Sequence, residues 1–289
     1  LDLPKHGYAM LPRSPSSFTP LPDGRHLLLG PDKELCRREI AKFSAKDAEA
    51  YPKYEERLDE ISAILEPLLT KTPFDPNKAG LGGLLEYGGF AAGHRKLLLE
   101  RWPELMRFMT GSATDLLDRW FESDVLKATL ATDAVIGANA GPGTPGTAYV
   151  LFHHVMGECN GVRGVWGYMK GGMGGLTQSL AGACRALGVD IFVNQGVSRV
   201  LVEGGRARGV VVGDGREVRA GVVVSNADMN VTFNRLVEAK ELPPAFLADV
   251  NRISYDSASV KINVALSDLP DFKACPGKEA GPQPRGTIH

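Results

Sequence analysis

Apolar residues recur along this chain at two different periods. From Ser44 to about Leu69 the period is helical, with Tyr51, Tyr54, Leu58, Ile61, Leu65 and Leu68 on one side. Ser44 and Asp47 precede that stripe as a capping box, in which a hydroxyl and a carboxylate can each take an exposed amide. Pro52 predicts either a kink or a later start. Such a stripe points first to a structural helix packed on a core. Arg95 to Thr110 repeats the pattern, with Leu98, Trp102, Leu105 and Met109 on one face, widened by Met106 and Phe108. Ser112 with Asp115, and then Ser123, predict two further helix starts, the last helix running through Leu126, Leu130 and Val135. Between them, residues 71–93 are glycine-rich and read as a break: a cavity-lining loop, a mobile cover or a surface connection. Residues 32–135 therefore form a mostly helical layer. Its large side chains suit a core first and a lid over an apolar ligand second.

The flanks read differently. Residues 1–30 are proline-rich and predict short strands around an Asp23-Gly24 turn. Arg25 to Leu29, fenced by Pro22 and Pro31, reads as an edge or hairpin strand. Leu176, Leu180, Ala183 and Leu187 stand at helical spacing, and Gly188 can close that helix in a left-handed conformation. From Gly188 the period falls to two. Strands are predicted over Val189–Val193, Val197–Val202, Arg208–Val212, Glu217–Arg219 and Val222–Asp228, with turns at Gly204-Gly205 and Asp214-Gly215. A helix is expected at Ala245–Val250 and one more strand over residues 258–266. A helix, a strand, a meander and a central strand make an α/β layout.

Composition narrows the class without naming a chemistry. Of 289 residues, 33 are Lys or Arg and 34 Asp or Glu, so the net charge of -1 argues against a broad nucleic-acid footprint. No apolar run approaches the ~20 residues that span a bilayer. Cys36, Cys159, Cys184 and Cys275 are scattered without a CxxC pair, so reduced thiols are expected rather than a disulfide framework or a zinc site. The chain starts at Leu1 and stops after a proline-rich loop, and both ends read as cut.

Among the motifs, Gly141-Pro142-Gly143-Thr144-Pro145-Gly146 spells GxGxxG, but Pro142 and Pro145 remove two amides and no strand precedes it. A rigid turn is the expectation there. Gly171-Gly172-Met173-Gly174-Gly175, after Lys170, opens a predicted helix whose free amides favour an anion or an electron-rich group, or else it allows close backbone packing. His153-His154 lacks ligand spacing, so no metal is expected. Asp228 ends a strand, which suits either function or a helix cap.

YMKGGMGGLTQSLAGACRALGVDIFVNQGVSRVLVEGG, continuing through RARGVVVGDGREVRAGVVVSNAD, resembles the central signature of the phytoene-desaturase-like flavoprotein amine-oxidoreductase superfamily. WFESDVLKATLATDAVIGANAGPGTPGTAYVLFHHVMG, SPSSFTPLPDGRHLLLG and FSAKDAEAYPKYEERL narrow the resemblance to one subgroup. The resemblance covers nearly the whole chain. It implies a partial FAD/NAD(P)-binding Rossmann-like domain with an inserted, mostly helical α+β substrate domain, without the superfamily's N-terminal GxGxxG and C-terminal FAD segments. Residues 1–165 would be substrate domain, 166–240 the middle of the FAD domain, and 241–289 a truncated return to the substrate domain. It further implies that Lys170, Gly171, Gly172 and Met173 lie near the flavin ring, that Val197 contacts the adenine side of FAD, and that Asn226, Ala227 and Asp228 follow the strand returning to the cofactor. Trp166 and Tyr168 would face the substrate cavity. No side chain is assigned as acid, base or nucleophile, because flavin carries the redox chemistry. The implied activity is an FAD-dependent oxidoreductase acting on a small hydrophobic or amine substrate. A non-catalytic interaction protein, an apolar-ligand binder and a fragment unable to fold alone stay open as rivals, as does a protein partner or a homo-oligomer. The implied location is the mitochondrial matrix for a eukaryotic source and the cytoplasm for a bacterial one.

Overall fold

A computed structural model describes residues 1–72, 80–256, 259–277, 279 and 281–289. In chain order, strands β1 (Met10–Pro12), β2 (Ser17–Pro20) and β3 (His26–Leu29) lead into helices α1 (Lys33–Ala41), α2 (Ala45–Leu65), α3 (Leu81–Gly93), α4 (Arg95–Glu100), α5 (Trp102–Thr110), α6 (Ala113–Trp120), α7 (Asp124–Ala131) and α8 (Thr147–Val155). Short strands β4 (Glu158–Cys159), β5 (Val162–Arg163) and β6 (Gly167–Met169) precede α9 (Gly172–Ala186). Then come β7 (Val197–Glu203), β8 (Arg206–Val212), β9 (Glu217–Arg219), α10 (Met229–Val231), α11 (Pro244–Asn251) and β10 (Thr287–Ile288). The class is α/β: a partial Rossmann-like portion and a mostly helical one. The contacts divide into a larger unit, Gly7–Thr177 with Ser257–His289, and a smaller one, Leu1–His6 with Gln178–Asp256.

The larger unit is built on α2. Ser44 caps it by accepting the Asp47 amide at 3.1 Å, and Pro52 sits inside the helix without ending it. Tyr51, Tyr54, Leu58 and Ile61 are buried as one stripe in a core shared with Leu27, Leu117, Leu126 and Phe152. Asp47 does not complete the capping box. Its carboxylate accepts the amides of Glu122 and Ser123 instead, tying the start of α2 to the loop before α7. The Asp23-Gly24 turn joins β2 to β3 as an antiparallel hairpin, and β3 lies at the edge of the sheet order β10-β2-β3.

Two helical expectations need correction. Residues 81–93 lie within the predicted break, yet they form α3; residues 73–79 lie outside the described residues. Glycine weakens a helix by about 1 kcal/mol per site against alanine but does not bar it as proline does, and helix-forming leucines and alanines separate the glycines here. Arg95 to Thr110 is two helices, because Pro103 belongs in a first turn and restarts the helix after Arg101. As a result Leu105 and Phe108 are buried while Trp102 and Met109 are exposed.

The smaller unit holds the antiparallel meander β7-β8-β9, with Val200, Leu201 and Val212 buried. Gly204 and Gly205 take the positive φ values that a two-residue hairpin turn requires. Phe233 packs edge-on against Phe246 of α11 with centroids 4.9 Å apart. Three predicted strands are not formed. Val189–Val193, Val222–Asp228 and the described part of 258–266 run without strand pairing, and Phe192, Val224 and Val260 are 79%, 89% and 88% exposed. An alternating apolar sequence becomes a strand only where a neighbour takes its amides and carbonyls, and the described residues offer none there.

Candidate functional site: a polar-walled cavity in the helical unit

The larger unit holds a partly open cavity of about 300 Å³ between α2, the segment after α7, α8 and the turn from β5 to β6. Its apolar wall includes Leu58, Leu130, Leu151 and Trp166. The Trp166 ring stacks on His154, with centroids 5.9 Å apart and planes within 6°. His154 is oriented by an Nδ1 contact of 2.8 Å to the Val150 carbonyl.

Polar side chains share the lining. Tyr51, Tyr54 and Glu55 come from α2, and Asp133 comes from the turn of 3-10 helix after α7. Tyr54 is 2% exposed, packed edge-on against Trp120 and Phe121, and its buried hydroxyl has no hydrogen-bond partner. The hydroxyl of Ser17, another lining residue, is also buried and unpartnered. Burial lifts the Glu55 carboxyl above its ordinary range, against the opposing influence of the Tyr51 hydroxyl and Lys33. Burial lifts Asp133 likewise, with His154 pulling the other way. Both tyrosine hydroxyls are pushed up by burial first and by nearby carboxylates second. Sequence reading missed all five polar groups. Tyr51 and Tyr54 lie on the helix stripe, where an aromatic side chain reads as core.

The other candidate region is the glycine turn before α9. Gly171 and Gly172 take φ +79 and +69, so the chain can turn directly into a 15-residue helix. A Cβ on Gly172 or Gly174 would meet nothing within 4 Å, whereas one on Gly175 would lie 2.4 Å from the Lys170 carbonyl oxygen. One glycine therefore permits close backbone packing, and its neighbours leave an exposed helix N-terminus.

No protein-family model matches this chain. It is 42% identical over 300 residues to pyridine nucleotide-disulfide oxidoreductase domain-containing protein 2 of Mus musculus, covering 99% of this chain and 52% of that protein. The chain is a homologue of that protein. The Rattus norvegicus counterpart is also 42% identical, over 299 residues. A phytoene desaturase (lycopene-forming) of Paracoccus sp. is 27% identical over 228 residues, covering 79% of this chain and 41% of its own length. The chain spans about half the length of the first two relatives.

Against this homology, the residues expected at FAD divide by unit. Lys170, Gly171, Gly172 and Met173 belong to the larger unit and form the open turn, all four exposed. The exposed backbone of Gly171 and Gly172 at the start of α9 can meet an electron-rich group such as a flavin edge or a phosphate. Val197, Asn226, Ala227 and Asp228 belong to the smaller unit. Val197 opens β7 and is partly exposed. Asp228 caps α10, its carboxylate accepting the Val231 amide at 2.9 Å, so the helix-cap reading describes its side chain. The Ala227 carbonyl accepts from the Thr232 hydroxyl at 3.2 Å. Trp166 lines the cavity. Tyr168 does not, and its ring lies under the Arg13 guanidinium at 4.3 Å. The Gly141–Gly146 motif is a structural turn: Pro142 accepts from the Thr114 amide and the Thr147 hydroxyl, and Gly146 caps α8 at φ +92.

Proposed function

We propose that this chain is the central part of an FAD-dependent oxidoreductase, with the cavity of its helical unit as the substrate site. The observation that carries the reading is 42% identity across 99% of the chain to a protein named as an oxidoreductase, supported by weaker similarity to two phytoene desaturases. Bound flavin would accept hydride or electrons from a carbon–carbon or carbon–nitrogen bond of the substrate. The chain's own part is to present the exposed amides of Gly171 to Met173 to the cofactor, and to hold the substrate against the apolar and aromatic walls around Trp166. Glu55 and Asp133, with raised proton affinity, are placed to hold or release a proton at a bound ligand.

The test is the visible spectrum of the complete product of the reading frame that contains this chain, purified beside the 289-residue chain. Flavin absorbance in the complete product, released as FAD on denaturation, supports the reading. A colourless complete product that stays colourless on incubation with FAD overturns it.

A further inference from the structure

We propose that Arg163 is a latch on the cavity. Its ion pair to the α2 end holds down a glycine-flanked strap, Val162 to Val165, and release of that pair lets the strap lift and widen access. The role as a substrate gate rests on the substrate-site reading above. The lifting itself is measured without flavin or substrate, so failure of the cofactor reading and failure of this one are seen separately.

The lining of the cavity is unequally supported. Tyr51, Tyr54 and Leu58 of α2 and Leu151 of α8 line it, and all four are buried in the core of the larger unit. Val162 to Trp166 line it as one continuous run, yet Val162, Gly164 and Trp166 are exposed. Moving α2 or α8 would break the core, whereas moving the strap disturbs little of it. The strap's backbone is also lightly held. β5 pairs with β4 over two residues, and one further bond runs from the Gly164 amide to the Gly157 carbonyl at 2.8 Å. Gly161 and Gly164 flank Val162-Arg163 at φ +79 and +71, and a Cβ on Gly161 would meet nothing within 4 Å. Glycine at both places lets the strap turn at low steric cost. The chain beyond it is anchored on both sides. Cys159 is buried, and the Trp166 carbonyl takes the Arg13 amide at 2.8 Å just before β6 pairs with β1.

Arg163 supplies the strap's polar tie to α2. Its guanidinium donates to Glu66, directly after α2, at 2.6 Å and lies 4.0 Å from Asp59, a lining residue of α2 itself. Val162, Gly164 and Val165 carry no polar side-chain group, so the strap has no second tie of this kind. Asn160 Nδ2 donates to the Met10 carbonyl at 3.2 Å, but Met10 belongs to β1 and does not line the cavity. That bond fixes the hairpin turn without holding the strap to α2. The Arg163 and Glu66 side chains are 32% and 41% exposed. Ion pairs so open to water are weak, and salt weakens them further. A latch needs that property: a tie strong enough to hold a two-residue ladder in place, and weak enough to release without unfolding the core.

The experiment places a thiol beside the strap. Val155 lines the cavity, and its Cγ1 lies 4.0 Å from where a Gly164 Cβ would stand. Val155→Cys, labelled with a maleimide and read by peptide mapping, reports lifting, and hydrogen exchange over residues 160–166 reports it without the added thiol. Arg163→Ala and Glu66→Gln should each speed both readouts about fivefold, while peptides of α2 and α8 keep their exchange rates. Sodium chloride at about 0.5 M should speed exchange over the strap in the chain that keeps Arg163 and should change it less than about twofold in Arg163→Ala. Should Val155→Cys fail to fold, exchange in the unaltered chain and the two latch variants still decides. Equal strap exchange with and without the latch overturns the proposal. So does acceleration that spreads evenly into α2 and α8, or a salt effect that survives Arg163→Ala in full.

Discussion

Asp47 Oδ2 accepts the backbone amide of Ser123 at 2.8 Å, across 76 residues of sequence. The carboxylate also takes the Glu122 amide at 3.0 Å, and Asp47 is fully buried. One side chain thus joins the first turn of α2 to the entry of α7, the two helices that carry Tyr54 and lead into Asp133. Replacing Asp47 by Ala would leave two amides without an acceptor. We expect a loss of about 2–4 kcal/mol in urea unfolding, with Asp47→Asn retaining part of it. Glu122→Gln, at the exposed end of the same cluster, should change little.

Gly209 sits at φ +147, facing β9. A Cβ there would lie 2.2 Å from the Val218 carbonyl oxygen. Gly209→Ala should therefore break the meander locally, at about 2–4 kcal/mol. Hydrogen exchange should show faster amides in β8 and β9 of the smaller unit, while α2 and α8 keep their protection.

The pH dependence of stability should carry the mark of Asp133. Its carboxyl binds a proton more tightly in the folded chain than in the unfolded one, because burial opposes the charge. A raised folded pKa contributes stability that is fully present below the unfolded value and is lost as pH rises through the folded value. Asp133→Asn should thus raise the melting temperature at pH 7 by a few degrees and leave it nearly unchanged near pH 3. A gain of equal size at both pH values would show that the ionised carboxyl is not the source.

Cys36 should be the slowest of the four thiols. It is 2% exposed, its Sγ lies 3.2 Å from the Gly30 carbonyl, and burial pushes its thiol up to about 11. Titration with a thiol reagent at pH 8 should modify Cys184 and Cys275, which are partly exposed, well before Cys36. Cys36 should react only on unfolding.

Much of this chain's local structure was legible in its residues. The Ser44, Ser112 and Ser123 caps, the Asp23-Gly24 hairpin, the α2 stripe and the three strands of the meander all follow from contacts within a few residues of one another. Helix period, capping and turn chemistry are local physics, and local sequence determines them. Val189–Val193 and Val222–Asp228 show where that reasoning ends. Their strand pattern is plain, but pairing depends on a neighbour that sequence spacing does not supply. The cavity lay further out of reach. Tyr54 reads as core because it lies on the core stripe, and only the packed helices bring it into one cavity lining with Asp133, 79 positions further along the chain. Asp47 reads as a capping residue, and only tertiary structure gave its carboxylate to Ser123. Patterns of period and cap determined the elements; the juxtaposition of distant polar groups in low dielectric, on which any chemistry here depends, was decided by how those elements pack.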